Sequence, residues 1–150
     1  MARSFAVNYF HIIFSTKHRQ PFIDEEIEKE LHRYLAGICN GLESVPIEIG
    51  GYWDHVHILC MLSKKITLIK LLEDVKSDSS RWVKTKGQRY NQFYWQGGYG
   101  AFSVSPYEVE AVRTYIRNQH EHHKTETFQD EYRRMLTKNK TEFDERFIWD

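Results

Sequence analysis

The stretch Trp53-Asp54-His55-Val56-His57-Ile58-Leu59-Cys60 places two imidazoles one residue apart in a run that otherwise reads as a half-buried strand. Side chains alternate faces along a strand, so His55 and His57 share one face while Val56 and Ile58 take the other. Two imidazoles that close can share one divalent ion, but two ligands leave its shell incomplete. A second pair, Tyr115 and Gln119, lies four residues apart in a segment with helical spacing, hence on one helix face. The carboxamide oxygen of Gln119 with His55 and His57 makes a mixed nitrogen and oxygen set suited to Mg or Mn, with positions left for a phosphate. Tyr115, one turn earlier, would then lie beside that phosphate. A phenol with its usual pKa of about 10 is a poor nucleophile alone, and a cation that polarises the phosphate is what makes attack feasible. The plainer alternative is two histidines on a polar strand face, a half-buried tyrosine and a surface glutamine.

Other candidates carry less. Tyr107 has Ala111 four residues on and so no ligand partner. His120, His122 and His123 at a helix end suit its negative terminal dipole, and no Cys or Asp cluster stands near them to complete a zinc site. Asp54 either orients a histidine or simply starts the strand; the second reading is the simpler. There is no Gly-rich phosphate loop. Cys39 and Cys60 sit in apolar stretches and read as reduced core thiols.

Net charge is zero across 150 residues, yet its distribution is uneven. From Lys64 to Arg89 there are eight Lys/Arg against three acids, and no acidic residue falls between Asp78 and Glu108. Trp82, Tyr90, Phe93, Tyr94, Trp95 and Tyr99 are interleaved with this basic run. That mixture tracks a phosphate backbone and stacks on bases, although a solvated helix face plus core aromatics uses the same letters. Lys76, Arg81, Lys84, Lys86 and Arg89 are the cations of this run that a nucleic acid would meet. The N-terminal "MARSFAVNYFHIIFST" has Arg, Asn and His within its apolar run, so it reads as a strand rather than a signal peptide or membrane span. A cytoplasmic protein with no membrane partner is expected.

The chemistry-bearing residues need elements to hold them. Alternation predicts a first strand over Phe5–Ser15. Ile27, Leu31, Tyr34, Leu35 and Ile38 predict a helix over Asp24–Asn40. Strands over Val45–Ile49 and Asp54–Leu62 flank Gly50-Gly51 and predict a hairpin turning there. Thr67 caps a second helix, and a short strand follows at Ala101–Val104. Ser105-Pro106-Tyr107-Glu108 is a capping box opening a third helix to about His123, with Val109, Val112 and Ile116 as its stripe. A last helix is expected over Phe128–Leu136. The order βαββαβ predicts an α+β, ferredoxin-like (RRM-like) antiparallel sheet, with two helices on one face, the other face open, and a C-terminal tyrosine-bearing helix. Residues 1–150 read as a single domain with a C-terminal extension from about 125.

"DHVHILCML", "SSRW", "WQGGYGAFSVS" and "VRTYIRNQHEHH", in this order, resemble the single-tyrosine HUH transposases of the insertion-sequence 200-like group, which includes the REP-associated tyrosine transposases. The resemblance runs from "FHIIFSTKHR" through "HHK". It implies a transposase with a divalent-metal site (Mg or Mn) held by His55, His57 and Gln119, and with Tyr115 as nucleophile. The implied chemistry is cleavage and strand transfer of single-stranded DNA through a 5′-phosphotyrosine link, at hairpins that mark the ends of a mobile element. On this resemblance Lys76, Arg81, Lys84, Lys86 and Arg89 become the candidate DNA-binding residues. It also implies a homodimer whose active sites combine the histidine pair of one subunit with the tyrosine helix of the other. Two other classes stay open on the residues alone: a non-catalytic single-strand-binding module, and a metal phosphodiesterase that uses water in place of tyrosine.

Overall fold

The computed structural model describes residues 2–150. Four strands, β1 (Tyr9–Ser15), β2 (Val45–Tyr52), β3 (His55–Met61) and β4 (Gly100–Val104), form one antiparallel sheet in the order β2-β3-β1-β4. This is the expected ferredoxin-like arrangement. β1 starts at Tyr9, opposite Met61 at the end of β3, so the residues before it have no ladder to join and Phe5 is 92% exposed. The hairpin turns at Trp53-Asp54 rather than at the glycines: β2 runs on through Gly50 and Gly51 to Tyr52, which pairs with His55.

One face of the sheet packs on α1 (Glu28–Gly41) and α2 (Leu68–Lys84). Leu31, Leu35 and Cys39 from α1 and Leu71, Leu72, Val75 and Val83 from α2 meet Ile12, Phe14, Val56, Ile58 and Cys60. Thr67 caps α2 as expected, its hydroxyl accepting from the Lys70 amide at 3.1 Å.

The opposite face is not open. It is covered by α3 (Val109–Arg117), the short α4 (Gln119–His122) and α5 (Phe128–Lys138). Ile13 and Phe102 present apolar surface on that side, and Phe128, Tyr132, Met135 and Leu136 of α5 bury it. Two glycines permit the approach: a Cβ on Gly50 would stand 2.5 Å from the Ile116 carbonyl of α3, and one on Gly100 would stand 2.8 Å from the Tyr132 ring.

The expected third helix is in fact divided. A 3-10 turn at Pro106–Glu108 precedes α3, with the Ser105 hydroxyl accepting from the Tyr107 amide at 3.2 Å, so the capping box does not form as read. Asn118, a weak helix former, then leaves helical geometry (φ −93°, ψ 18°) and separates α3 from α4. Thr127 caps α5 through the Asp130 amide.

A candidate active site under the tyrosine helix

Strand register builds the floor. Ser15 pairs with His55 and Ile13 with His57, while His11 lies one step further along the same face of β1. His55 and His57 are fully buried, and both point at α3–α5 rather than at the layer of α1 and α2. Behind them, the His55 Nδ1–H donates to Asp54 Oδ1 at 2.7 Å, so Asp54 orients a histidine and does more than begin a strand. His57 Nδ1 shares a 2.7 Å hydrogen bond with Nε2 of His11, whose ring stacks on it at 5.0 Å. In both histidines this leaves Nε2 for the interior of the site.

Gln119 and Tyr115 arrive from above. Gln119 is 1% exposed, and its carboxamide oxygen lies 3.0 Å from His55 Nε2 and 2.9 Å from His123 Nε2. Tyr115 sits edge-on to His57 with ring centroids 5.9 Å apart. The four residues expected to work together therefore converge within a single chain. The exchange of tyrosine helices between subunits that the resemblance implies is not needed to bring them together.

The centre of the cluster is a residue from the C-terminal extension. Glu131 of α5 is fully buried; its Oε1 lies 3.1 Å from His57 Nε2, 3.3 Å from His55 Nε2 and 3.1 Å from His123 Nε2. Its Oε2 accepts from Gln119 Nε2 at 3.0 Å and from the Tyr115 hydroxyl in a short contact. Burial alone would raise this carboxyl's pKa, but the imidazoles of His57, His123 and His55 hold it far below the usual carboxylate range. Burial works against charge on His55 as well, yet its bonds to Asp54 and Glu131 raise it to about 9. Burial lowers His57, and it lowers His11 to about 3. The Tyr115 hydroxyl is pushed well above its ordinary value, by burial first and then by the Glu131 carboxylate. Arg134 offsets this in part, donating to the Tyr115 oxygen at 2.8 Å and to Glu126 at 3.0 Å.

The donor set fits a divalent cation. Nε2 or Nδ1 of His55, His57 and His123 and a carboxylate oxygen of Glu131 all lie within 4.8 Å of one another, with the Gln119 oxygen among them. Sequence reasoning assigned His55, His57, Gln119 and Tyr115 to the site but not Glu131, His11 or Arg134, and it gave His123 to the helix dipole, whereas the structure sets that imidazole in the cluster. One signal was available for Glu131: it falls on the stripe Phe128, Tyr132, Met135 and Leu136, where a carboxylate is out of place unless it has buried partners.

The basic segment lies elsewhere. α2 packs on the face of the sheet opposite the histidines. Lys76 donates to the carbonyls of Gln96, Gly97 and Gly98 at 2.6–3.2 Å, so its ammonium fastens a loop. Arg81 pairs with Asp78, Lys86 with Glu30, and Arg89 with Asp24 and Glu26. Lys84 bonds the Ser80 hydroxyl and lies 3.9 Å over the Tyr94 ring. Much of the local excess is thus matched by acids of the α1 region, which a count along the chain could not reveal.

An antiparallel ferredoxin-like sheet with a His-x-His strand beneath a Tyr-x-x-x-Gln segment that spans α3 and α4 defines the class. The chain belongs to the IS200-like transposases, matching that family over residues 4–119. A crystal structure of a candidate transposase from Deinococcus radiodurans R1 is similar in fold, with a TM-score of 0.62 at 21% identity over 79% of this chain and 96% of that one. A REP-associated tyrosine transposase bound to a REP hairpin aligns with a TM-score of 0.60 at 10% identity, over 82% of this chain and 73% of that one. Comparison with curated protein sequences gives no match. No helix among the described residues is long and apolar enough to cross a membrane.

Proposed function

We propose that this transposase-family chain cleaves and rejoins single-stranded DNA, with Tyr115 as the attacking group and with His55, His57 and Gln119 as ligands of a divalent cation, Mg or Mn. The observation that carries the reading is the meeting of Tyr115 and Gln119 with the imidazole pair at one buried point. Nε2 of His123 and Oε1 of Glu131 would join the ligand set, and this share of imidazole suits Mn better than Mg. Such an ion supplies Lewis-acid polarisation of a phosphodiester and neutralises charge as the new bond forms.

The chain's own groups do the rest. Glu131 Oε2 accepts the hydrogen bond of the Tyr115 hydroxyl, so it stands where the phenolic proton must go as the oxygen attacks phosphorus. The P–O3′ bond breaks, the 3′ oxygen takes up a proton, and a 5′-phosphotyrosine remains. A phosphotyrosine keeps the energy of the phosphodiester, so a 3′-hydroxyl of another strand can reverse the step. One tyrosine holds one DNA end; joining two ends therefore calls for two chains acting together, each with its own site. A hairpin at the element end is the substrate that fits this reading. The grip on it falls to the exposed cations Arg81, Lys86 and Arg89, whose surface ion pairs are weak and exchange readily for phosphate, with the half-buried Lys84 and with Lys76 behind them.

The test is incubation with single-stranded hairpin DNA and Mn or Mg, followed by denaturing electrophoresis. A protein–DNA adduct that survives denaturation is expected with the wild type and not with Tyr115→Phe. An adduct with the phenylalanine variant overturns the nucleophile, cleavage without adduct supports a phosphodiesterase, and binding without cleavage supports a non-catalytic module.

A further inference from the structure

Two clefts flank the buried cluster, and they differ in charge. The larger, about 460 Å³, runs beside His123 and is lined by Asp54, Glu126 and Asp130 against Lys124, which is itself paired with Glu121 at 2.9 Å. The smaller, about 230 Å³, lies between α3 and α5 and is lined by Tyr115, Val112, His11, Glu108, Arg134 and Lys138 among others. Tyr115 lines the second and not the first. A polyanion entering by the larger cleft would meet three carboxylates and one cation, whereas by the smaller it meets two cations and one carboxylate.

We infer that the α3/α5 cleft seats the scissile phosphodiester of the single strand, with the Arg134 guanidinium and the Lys138 ammonium as partners of its anionic oxygens. Arg134 already donates to the tyrosine oxygen, and its planar fork has further N–H groups to offer a phosphate at the same time. Its side chain is 42% exposed, so it can turn from Glu126 toward a ligand without a buried charge being stranded. Lys138 has no ion-pair partner among the described residues and stands at the cleft's rim. The apolar wall of Val112 with Met135 suits the face of a sugar or base, and the volume admits one nucleotide unit but no duplex. This site therefore takes the single strand adjoining a hairpin, not its stem. α5, which carries both cations, lies beyond the residues matched to the family.

The inference rests on Tyr115 being the nucleophile, and its test keeps the two apart. A labelled single-stranded oligothymidine is titrated against Tyr115→Phe protein at several salt concentrations, so that binding is read without reaction. Adding Lys138→Ala is expected to weaken binding about fivefold and lower the salt slope by about one; Lys138→Glu weakens it further. Arg134→Ala acts similarly, and Arg134→Lys recovers part of the loss. Lys124→Ala, on the acidic cleft, leaves binding unchanged. Lys138 is at the rim, so its variants answer the question even if Arg134→Ala fails to fold, as thermal melting would show. Unchanged affinity and salt slope in both Lys138 variants overturns the subsite, whatever the wild type does in the adduct assay. Weakened binding in a protein that forms no adduct overturns the nucleophile and leaves the subsite standing.

Discussion

The two faces of the sheet are built from alternate residues of the same strands, yet only one of them carries a buried polar cluster. Toward α1 and α2 lie Ile12, Phe14, Val56, Ile58 and Cys60, with Phe14 and Phe93 both edge-to-face on Trp95 at 4.8 Å. A polar group there bonds locally, as where the Ser79 hydroxyl accepts from the Trp95 indole at 2.9 Å and donates to the Val75 carbonyl at 2.6 Å. Toward α3–α5 lie His11, His55 and His57, roofed by Gln119, His123 and Glu131 in one connected hydrogen-bonded network. Hydrophobic burial alone holds the first face together, whereas the second sets beside its smaller apolar cluster of Ile13, Phe102 and α5 a polar network in which every member must keep its partner. The difference separates stability from chemistry by the thickness of one strand.

That separation can be broken or sharpened by experiment. The largest effect is expected from Tyr115→Phe, which lowers adduct formation by about three orders of magnitude or more in the denaturing gel assay while the melting temperature barely moves. Mixing His57→Ala protein with Tyr115→Phe protein should restore no adduct, because each chain's tyrosine faces its own histidines; restored activity would mean that helices are exchanged between subunits. On the apolar face, Leu35→Ala should cost about 2–5 kcal/mol in urea unfolding and leave adduct yield per folded molecule unchanged. Gly50→Ala should act on both properties at once: it forces α3 off the sheet at about 1–3 kcal/mol and lowers adduct yield as well. The smallest effect is a pH dependence from α1. Burial, with His120 nearby, lowers His32 to about 4, below its unfolded value near 6.5. The unfolded chain thus takes the proton first, and stability present above pH 6.5 is lost as pH falls toward 4. The loss is on the order of 3 kcal/mol at most. His32→Gln should flatten that part of the wild-type curve in unfolding titrations.

How much of this was legible in the sequence differs between the same two faces. Period-two and period-3.6 patterns report burial, so the element order, the cap at Thr67 and the α1/α2 core could all be read. His-x-His and the four-residue spacing of Tyr115 and Gln119 are likewise local. What escaped is set by register and by contacts distant in the chain. His11 meets His57 across 46 residues and Glu131 meets it across 74, and no local pattern encodes either pairing. The break at Asn118 and the turn at Trp53-Asp54 were missed because Asn within a helix and Gly-Gly within a strand are weak signals that tertiary packing overrides. The pairing of the basic run is hidden for a related reason: Glu30 reaches Lys86, and Asp24 and Glu26 reach Arg89, from the region of another helix.

Gly50 and Gly100 bear on how exactly the nucleophile is held. Where side chains separate two elements, a spacing can relax through rotamers. At Gly50 the Ile116 carbonyl rests directly on peptide backbone, with no rotamer on either side to yield, whereas at Gly100 the contact is the Tyr132 side chain. The helix that carries Tyr115 is therefore seated against a hard stop. It can slide along the sheet or lift from it, but it cannot sink further, so backbone contact limits how closely the phenol approaches the imidazoles. Tolerance at this site is one-sided.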